Sequence, residues 1–338
     1  MQAVAPPASP RQALFDSADT APALPVCDHY AGVEARMRKS LHLQAEMGPV
    51  FDVTLDIEDG APVGGELEHA LLIASLLASA DNRYGRVGVR LLPVGHAKFG
   101  DVLAAVLASA RAPAYLMLPK PHGLADVERA AQAVAAAGGG AVPLHALIET
   151  HGGLHDVFRI AAHPRIESLS FGLMDFVSAH RGAIPASAMS ADGQFDHPLI
   201  IRAKLEIAAA CHAHGKTPSH CVVTEFKDLD ALESAAERAC TLLGYTRMWS
   251  IHPDQIRPIV EAFAPHVAEV DQAVEIIQAA QAAGWAPISH RHGKEVRLHD
   301  RASYRYYWHV IERAHRTSFK GGPQLPAELC QAWFGSTA

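Results

Sequence analysis

Short apolar runs alternate with helical patterns along most of the chain, and this alternation constrains the fold more than any other feature. The runs fall at residues 24–27, 51–57, 87–92, 114–118, 143–148, 166–172, 219–223 and 247–251. Between them, helix-forming stretches cover about 32–47, 66–79, 98–109, 124–137, 154–163, 199–214 and 229–242. Strands separated by helices pair in parallel through right-handed crossovers, and eight such units are the number that closes a barrel. The expected fold is therefore an α/β (β/α)8 TIM barrel. A doubly wound open sheet is the runner-up, but it calls for a Gly-rich phosphate turn after the first strand, and Cys27-Asp28-His29-Tyr30 is not one.

A barrel takes about 250 residues, which leaves an appendage in a chain of 338. The expected division is a flexible N-terminal arm over 1–22, a barrel over 23–265, and a C-terminal helical lid or oligomer-contact region over 266–338. The last of these carries helical patterns at 267–283 and 304–315. Residues 1–22 lack the basic start and unbroken apolar core of a secretory signal. No apolar run reaches the roughly 20 residues that cross a bilayer. Five scattered cysteines with no Cys-x-x-Cys pair suggest neither a disulfide framework nor a zinc site, so the expectation is a soluble, cytoplasmic protein. A net charge of −7 without a long basic run argues against nucleic-acid binding.

Chemistry is concentrated where apolar runs stop on charged residues. Ala146-Leu147-Ile148-Glu149-Thr150 and Ser170-Phe171-Gly172-Leu173-Met174-Asp175-Phe176 each end on one carboxylate, and the two acids are 26 residues apart, one strand–helix repeat. Neighbouring parallel strands would deliver Glu149 and Asp175 to the C-terminal rim, where barrel active sites are built. Two carboxylates there suit a hard divalent ion such as Mg²⁺ or Mn²⁺, which keeps several waters. The bland alternative is an acid that caps the following helix.

A second acidic group, Asp56, Glu58 and Asp59, closes the second run, with Asp56 and Glu58 on one face by strand alternation. It is either a solvated turn or a group that mutual repulsion makes costly without a cation nearby. Arg90 ends the third run, where a fixed cation can stabilise a developing oxyanion; an ion pair to Glu58 or Asp59 is compatible with that role. Lys120 can reach a phosphate or carboxylate, or pair with a rim acid. The turn Gly172-Leu173-Met174-Asp175 could present backbone N–H groups to a small carboxylate. His252-Pro253 reads as a helix start before it reads as a catalytic histidine.

Leu55-Asp56-Ile57-Glu58-Asp59-Gly60-Ala61-Pro62, Val89-Arg90, Leu118-Pro119-Lys120, Ile148-Glu149-Thr150, Phe171-Gly172-Leu173-Met174-Asp175-Phe176 and Trp249-Ser250-Ile251-His252-Pro253 together resemble, in order, the citrate lyase β-subunit-like and malyl-CoA lyase-like proteins of the HpcH/HpaI aldolase group. The resemblance covers about residues 23–265, and the last motif is closer to the malyl-CoA lyase branch. It implies a Mg²⁺-dependent carbon–carbon lyase acting on a 3-hydroxyacyl-CoA such as malyl-CoA or citramalyl-CoA and releasing an acyl-CoA and a 2-oxo acid. It also implies a trimer or hexamer. Glu149 and Asp175 would hold the metal and Asp56, Glu58 and Asp59 would stand behind them. Arg90 would face the enolate, and the 172–174 turn would bind a small carboxylate. Asp300, before a C-terminal helix, matches loosely an acid/base carboxylate carried on a neighbouring subunit's lid; capping its own helix is the plain alternative. Asp28-His29-Tyr30 departs from the Gly-Asp-Arg/Asn sequence of citrate lyase-like proteins. A CoA thioester hydrolase, a CoA-independent 2-oxo acid aldolase and a non-catalytic regulatory homologue remain as alternatives.

Overall fold

The structure, a computed structural model, describes residues 9–16, 24–293, 295–319 and 325–335. The chain folds as two compact units, one formed by Ala21–Phe263 and the other by Ala264–Ala338 together with Met1–Thr20.

In the first unit eight parallel strands close a barrel in sequence order. They are β1 (Cys27–Ala31), β2 (Phe51–Asp56), β3 (Val87–Arg90), β4 (Leu116–Leu118), β5 (Leu144–Ile148), β6 (Ile166–Phe171), β7 (Thr217–His220) and β8 (Arg247–Ser250). The open sheet is thereby excluded. Most strands are buried along their whole length because helices cover the outside while side chains fill the inside. The strand ends differ from the sequence reading by a residue or more throughout, and most at the first and seventh strands. β1 begins at Cys27 rather than Leu24, and β7 at Thr217 rather than Ser219, because the polar residues Asp28, Tyr30 and Thr217 are strand residues buried in the barrel. The helical stretch expected over 154–163 is two helices, His151–His155 and Val157–Ala162, which meet at Asp156.

Inside the barrel lies a floor of buried charge. Arg247 Nη1 donates to Asp52 Oδ2 (2.6 Å) and Nη2 pairs with Asp28 Oδ2 (3.1 Å), all three residues being fully buried. Arg86 makes two bonds to the same Asp52 carboxylate (2.7 and 3.0 Å). Tyr115 and Thr54 both hydrogen-bond Asp28 Oδ1 (2.9 and 2.7 Å), and the Tyr115 ring stacks on His145 at 3.9 Å. Tyr115 fits because residue 88 is glycine; a Cβ there would lie 2.2 Å from the tyrosine ring.

The second unit is built around the helices Val267–Ala282 and Arg301–Arg316, with Ile276, Ile277, Tyr304, Trp308, Ile311 and Trp333 in its core. The antiparallel strands β9 (Ile288–His292) and β10 (Glu295–His299) and a helix Ala327–Phe334 complete it. Residues 9–16 of the arm expected over 1–22 fold with this unit. Pro10–Leu14 is a helix capped by Ser9, and Leu14 is fully buried in this unit's core. The apolar Leu14 and the bond from Arg305 Nε to its carbonyl (2.9 Å) tie it down. Residues 1–8 and 17–22 of that arm lie outside the described residues. No helix among the described residues is long and apolar enough to cross a membrane.

Candidate active site

The charged ends of the barrel strands converge on one mouth. Asp56 ends β2 and Arg90 ends β3, and the two are paired in register. Lys120 lies two residues beyond β4, Glu149 directly follows β5, and Asp175 lies in the first turn of the short helix Leu173–Ser178 after β6. Parallel strands deliver successive C-terminal ends to the same rim, which brings together residues far apart in the chain.

Asp56 organises the acidic loop. Its carboxylate accepts the N–H groups of Glu58 (2.9 Å) and Gly60 (2.8 Å) and also takes both arms of Arg90, Nε at 2.7 Å and Nη2 at 2.5 Å. Arg90 Nη1 reaches Glu58 at 3.2 Å. The principal partner of Arg90 is thus Asp56 rather than Glu58 or Asp59. Burial alone would lower the Arg90 pKa, but the hydrogen bonds and charge of Asp56 outweigh it and hold the guanidinium more firmly charged than usual. Beneath it lies an aromatic pair that sequence reasoning missed: Arg90 sits 5.4 Å over the Tyr30 ring, and Tyr30 stacks on Trp249 at 4.4 Å. The available signal was a tyrosine in the first strand where the family pattern has a loop. The segment Asp28-His29-Tyr30 lies within β1, and Gly32 then passes so close to Gly60 O that a Cβ would come to 1.8 Å.

Lys120 is committed to the acids. Its ammonium donates to Glu58 (2.5 Å) and Asp59 (2.8 Å) and stands 3.6 Å from Asp175, while its backbone N–H donates to Glu149 Oε1 (2.9 Å). Burial raises the Glu58 pKa against the opposing charges of Arg90 and Lys120. Asp59 is also pushed up by burial, but the Lys120 bond prevails and lowers it.

Glu149 is 3% exposed, and burial followed by repulsion from Asp175 pushes its carboxyl up to about 8. Gly172 makes room for it; a Cβ at 172 would meet Glu149 Oε2 at 2.2 Å. The N–H of Gly172 donates to Ile148 O (3.0 Å), so within that turn this one N–H is not available to a ligand. Leu173 is buried, and Met174 is 42% exposed. The helix Leu173–Ser178 has no side-chain cap, so Asp175, with its side chain 40% exposed, is not spent as one. His252 caps the 3-10 turn Pro253–Gln255 and stacks on Phe226 (4.9 Å).

The donor set fits a hard divalent ion. A buried carboxyl pushed up by burial and by a neighbouring acid is one short of a counter-ion. Among the described residues no three His, Cys, Asp or Glu side chains form a ready-made cage, as expected of an ion that takes one or two carboxylates and fills its shell with water and substrate oxygens. Asp300 belongs to the other unit. There its carboxylate caps the helix Arg301–Arg316, accepting the N–H groups of Ala302 (3.0 Å) and Ser303 (3.2 Å).

A closed parallel barrel with a carboxylate and guanidinium cluster at its C-terminal mouth defines the chain as a (β/α)8 protein of the TIM-barrel class. The chain belongs to the HpcH/HpaI aldolase/citrate lyase family, whose model matches residues 45–253. A citrate lyase of Burkholderia xenovorans LB400, known from its crystal structure, is 52% identical, covers 97% of this chain and 100% of that one, and superposes with a TM-score of 0.80. A (3S)-malyl-CoA thioesterase of Cereibacter sphaeroides is 28% identical over 265 residues, 78% of this chain and 84% of the relative. Protein CitE of Mycobacterium tuberculosis, solved in complex with magnesium, acetoacetate and coenzyme A, is 20% identical over 86% of this chain and 98% of its own; its TM-score of 0.66 is a likeness of fold alone. The chain spans 57% of the length of the curated L-malyl-CoA/beta-methylmalyl-CoA lyases of Cereibacter sphaeroides that it also matches.

Proposed function

We propose that the protein is a Mg²⁺-dependent carbon–carbon lyase that cleaves or forms a 3-hydroxyacyl-CoA of the malyl-CoA or citramalyl-CoA type, with an acyl-CoA and a 2-oxo acid as the other partners. The observation that carries this reading is the pairing at one mouth of a counter-ion-deficient carboxylate, Glu149 beside Asp175, with a guanidinium locked in place by Asp56.

Glu149 and Asp175 would hold the metal, which when bound supplies Lewis-acid polarisation of the 2-oxo acid oxygens. Cleavage of the bond between the α and β carbons leaves the electron pair on the acyl-CoA as an enolate, with negative charge on the thioester oxygen. Arg90 is suited to offset that charge. Asp56 takes its Nε and Nη2 and Tyr30 lies under its plane, so it does not have to reorganise as the charge develops. Glu58 and Asp59 steady Lys120, and Asp56 steadies Arg90. The 3-hydroxyl must give up its proton as its oxygen becomes the carbonyl of the 2-oxo acid, and a proton must be returned to the enolate carbon; we assign these transfers to Asp300 of a neighbouring subunit, a carboxylate outside the metal pair.

The (3S)-malyl-CoA thioesterase relative supports a second reading in which the same substrate class is hydrolysed at the thioester. One experiment separates the two. Purified protein is incubated with malyl-CoA, citramalyl-CoA and related 3-hydroxyacyl-CoA thioesters, with Mg²⁺ or with chelator, and the products are identified. Acyl-CoA and a 2-oxo acid appearing only with Mg²⁺ establish the lyase. Free CoA and the hydroxy acid establish the hydrolase, and no turnover of any thioester overturns both.

A further inference from the structure

Four carboxyl groups at the barrel mouth, on Asp56, Glu58, Asp59 and Asp175, share the cations Arg90 and Lys120, and a fifth, Glu149, accepts the Lys120 N–H. Arg90 is bound by Asp56 and Glu58. Lys120 therefore stands between the acidic loop and the two carboxylates assigned to the metal, and it does two separate things there. Its N–H fixes Glu149 Oε1 at 2.9 Å, while its ammonium, held by Glu58 and Asp59, extends to 3.6 Å from Asp175.

The backbone that permits both is unusual. Lys120 has φ of 51°, in the left-handed region that residues with a Cβ seldom occupy. Its surroundings hold it there: Thr150 Oγ1 donates to Pro121 O (2.6 Å), and Gly153 passes so close to that carbonyl that a Cβ would come to 2.6 Å. Strained backbone of this kind persists at sites where the structure over-determines it.

We propose that Lys120 is a positioning residue whose ammonium is a built-in competitor for the divalent ion, while its N–H keeps Glu149 oriented toward that ion. This rests on the reading of Glu149 and Asp175 as the metal ligands. An ammonium 3.6 Å from Asp175 neutralises part of the charge an incoming ion needs, and it repels the ion once bound. It is not simply expelled, because Glu58 and Asp59 retain it. The resting site therefore holds the ion more loosely than its carboxylates alone would.

The test uses Lys120→Gly. Glycine adopts the left-handed conformation readily and keeps the N–H, so the variant loses the ammonium without endangering the turn. Mn²⁺ is titrated into full-length protein without substrate, and free Mn²⁺ is followed by its paramagnetic resonance signal. Thermal unfolding of each variant is measured alongside. Lys120→Gly is expected to bind Mn²⁺ about fivefold or more tightly than wild type, since a unit charge at this range retains that much influence even in a water-like medium. Lys120→Arg, which restores the charge, is expected to return affinity to within about twofold of wild type. Equal or weaker binding by Lys120→Gly overturns the proposal, as does tight binding by Lys120→Arg. Glu149→Gln binding Mn²⁺ like wild type instead overturns the metal assignment, and absence of binding in both wild type and Lys120→Gly overturns the two together.

Discussion

Gly172 and Glu149 share one volume: a methyl group at position 172 would lie 2.2 Å from Glu149 Oε2 and 2.5 Å from its Cβ. The carboxylate end of a side chain can swing away, but a Cβ moves only with its backbone. Gly172→Ala is therefore expected to displace β5 from β6 at the rim, lowering stability by about 1–3 kcal/mol. It should also weaken Mn²⁺ binding in proportion to the displacement of Glu149. Chemical denaturation and metal titration of the variant check both, and native metal affinity would contradict the expectation.

The raised pKa of Glu149 gives metal binding a pH signature. Its carboxyl titrates near 8 in the folded protein and at 4.5 in the reference state, so the metal-free fold has its full contribution below pH 4.5 and loses it as pH rises toward about 8. Metal binding must displace that proton. Apparent Mn²⁺ affinity is expected to rise about tenfold per pH unit below pH 8 and then level off. Glu149→Gln, a neutral isostere, should abolish metal-dependent stabilisation and remove the decline in metal-free stability across this window. Thermal unfolding with and without Mn²⁺ from pH 5 to 9 measures both effects.

Arg90→Lys replaces a fork with a point charge and removes one of the two side-chain bonds to the buried Asp56 carboxylate, whose backbone donors remain. A loss of about 10²-fold in kcat is expected with a smaller change in KM. Steady-state kinetics decide the role, and a change confined to KM would make Arg90 a ground-state binding contact.

Asp300 is a helix cap by geometry and an acid/base group by proposal. Asparagine caps as well as aspartate does, whereas alanine costs about 1 kcal/mol at such a position. Asp300→Asn is expected to keep native stability and lose most turnover, and Asp300→Ala to lose both. Full activity in Asp300→Asn would leave capping as the residue's whole function.

The barrel was legible in the sequence because apolar strands and helices alternate with little interruption. The rim residues were legible because Asp56, Arg90 and Glu149 are charges placed at the ends of such runs. What the sequence hid was partnership. That Arg90 belongs to Asp56, or that Lys120 spends its N–H on Glu149, depends on the register between strands and on a left-handed backbone at position 120. The floor was hidden more deeply. Asp28, Thr54 and Arg247 come from three strands and Tyr115 from the approach to a fourth, and each alone looks like a polar residue spoiling an apolar pattern. That spoiling also displaced the start of β1 in the sequence reading.

Arg247→Met tests the weight of that floor. It would leave the Asp28 and Asp52 carboxylates buried, with Arg86 remaining on Asp52. A destabilisation of about 3–5 kcal/mol is expected from denaturant unfolding, since a buried charge deprived of its partner is among the costliest single changes.

The floor and the mouth differ in their charge balance. Below, Asp28 and Asp52 meet Arg247 and Arg86 one for one, whereas above, the acids outnumber the cations. The barrel interior thus forms a one-ended electrostatic well, neutral at its base and negative at its opening. A polyanionic thioester approaching such an opening is repelled until a cation has entered. On the proposed function, binding of the ion before the CoA ester is the order that this axial distribution of charge favours.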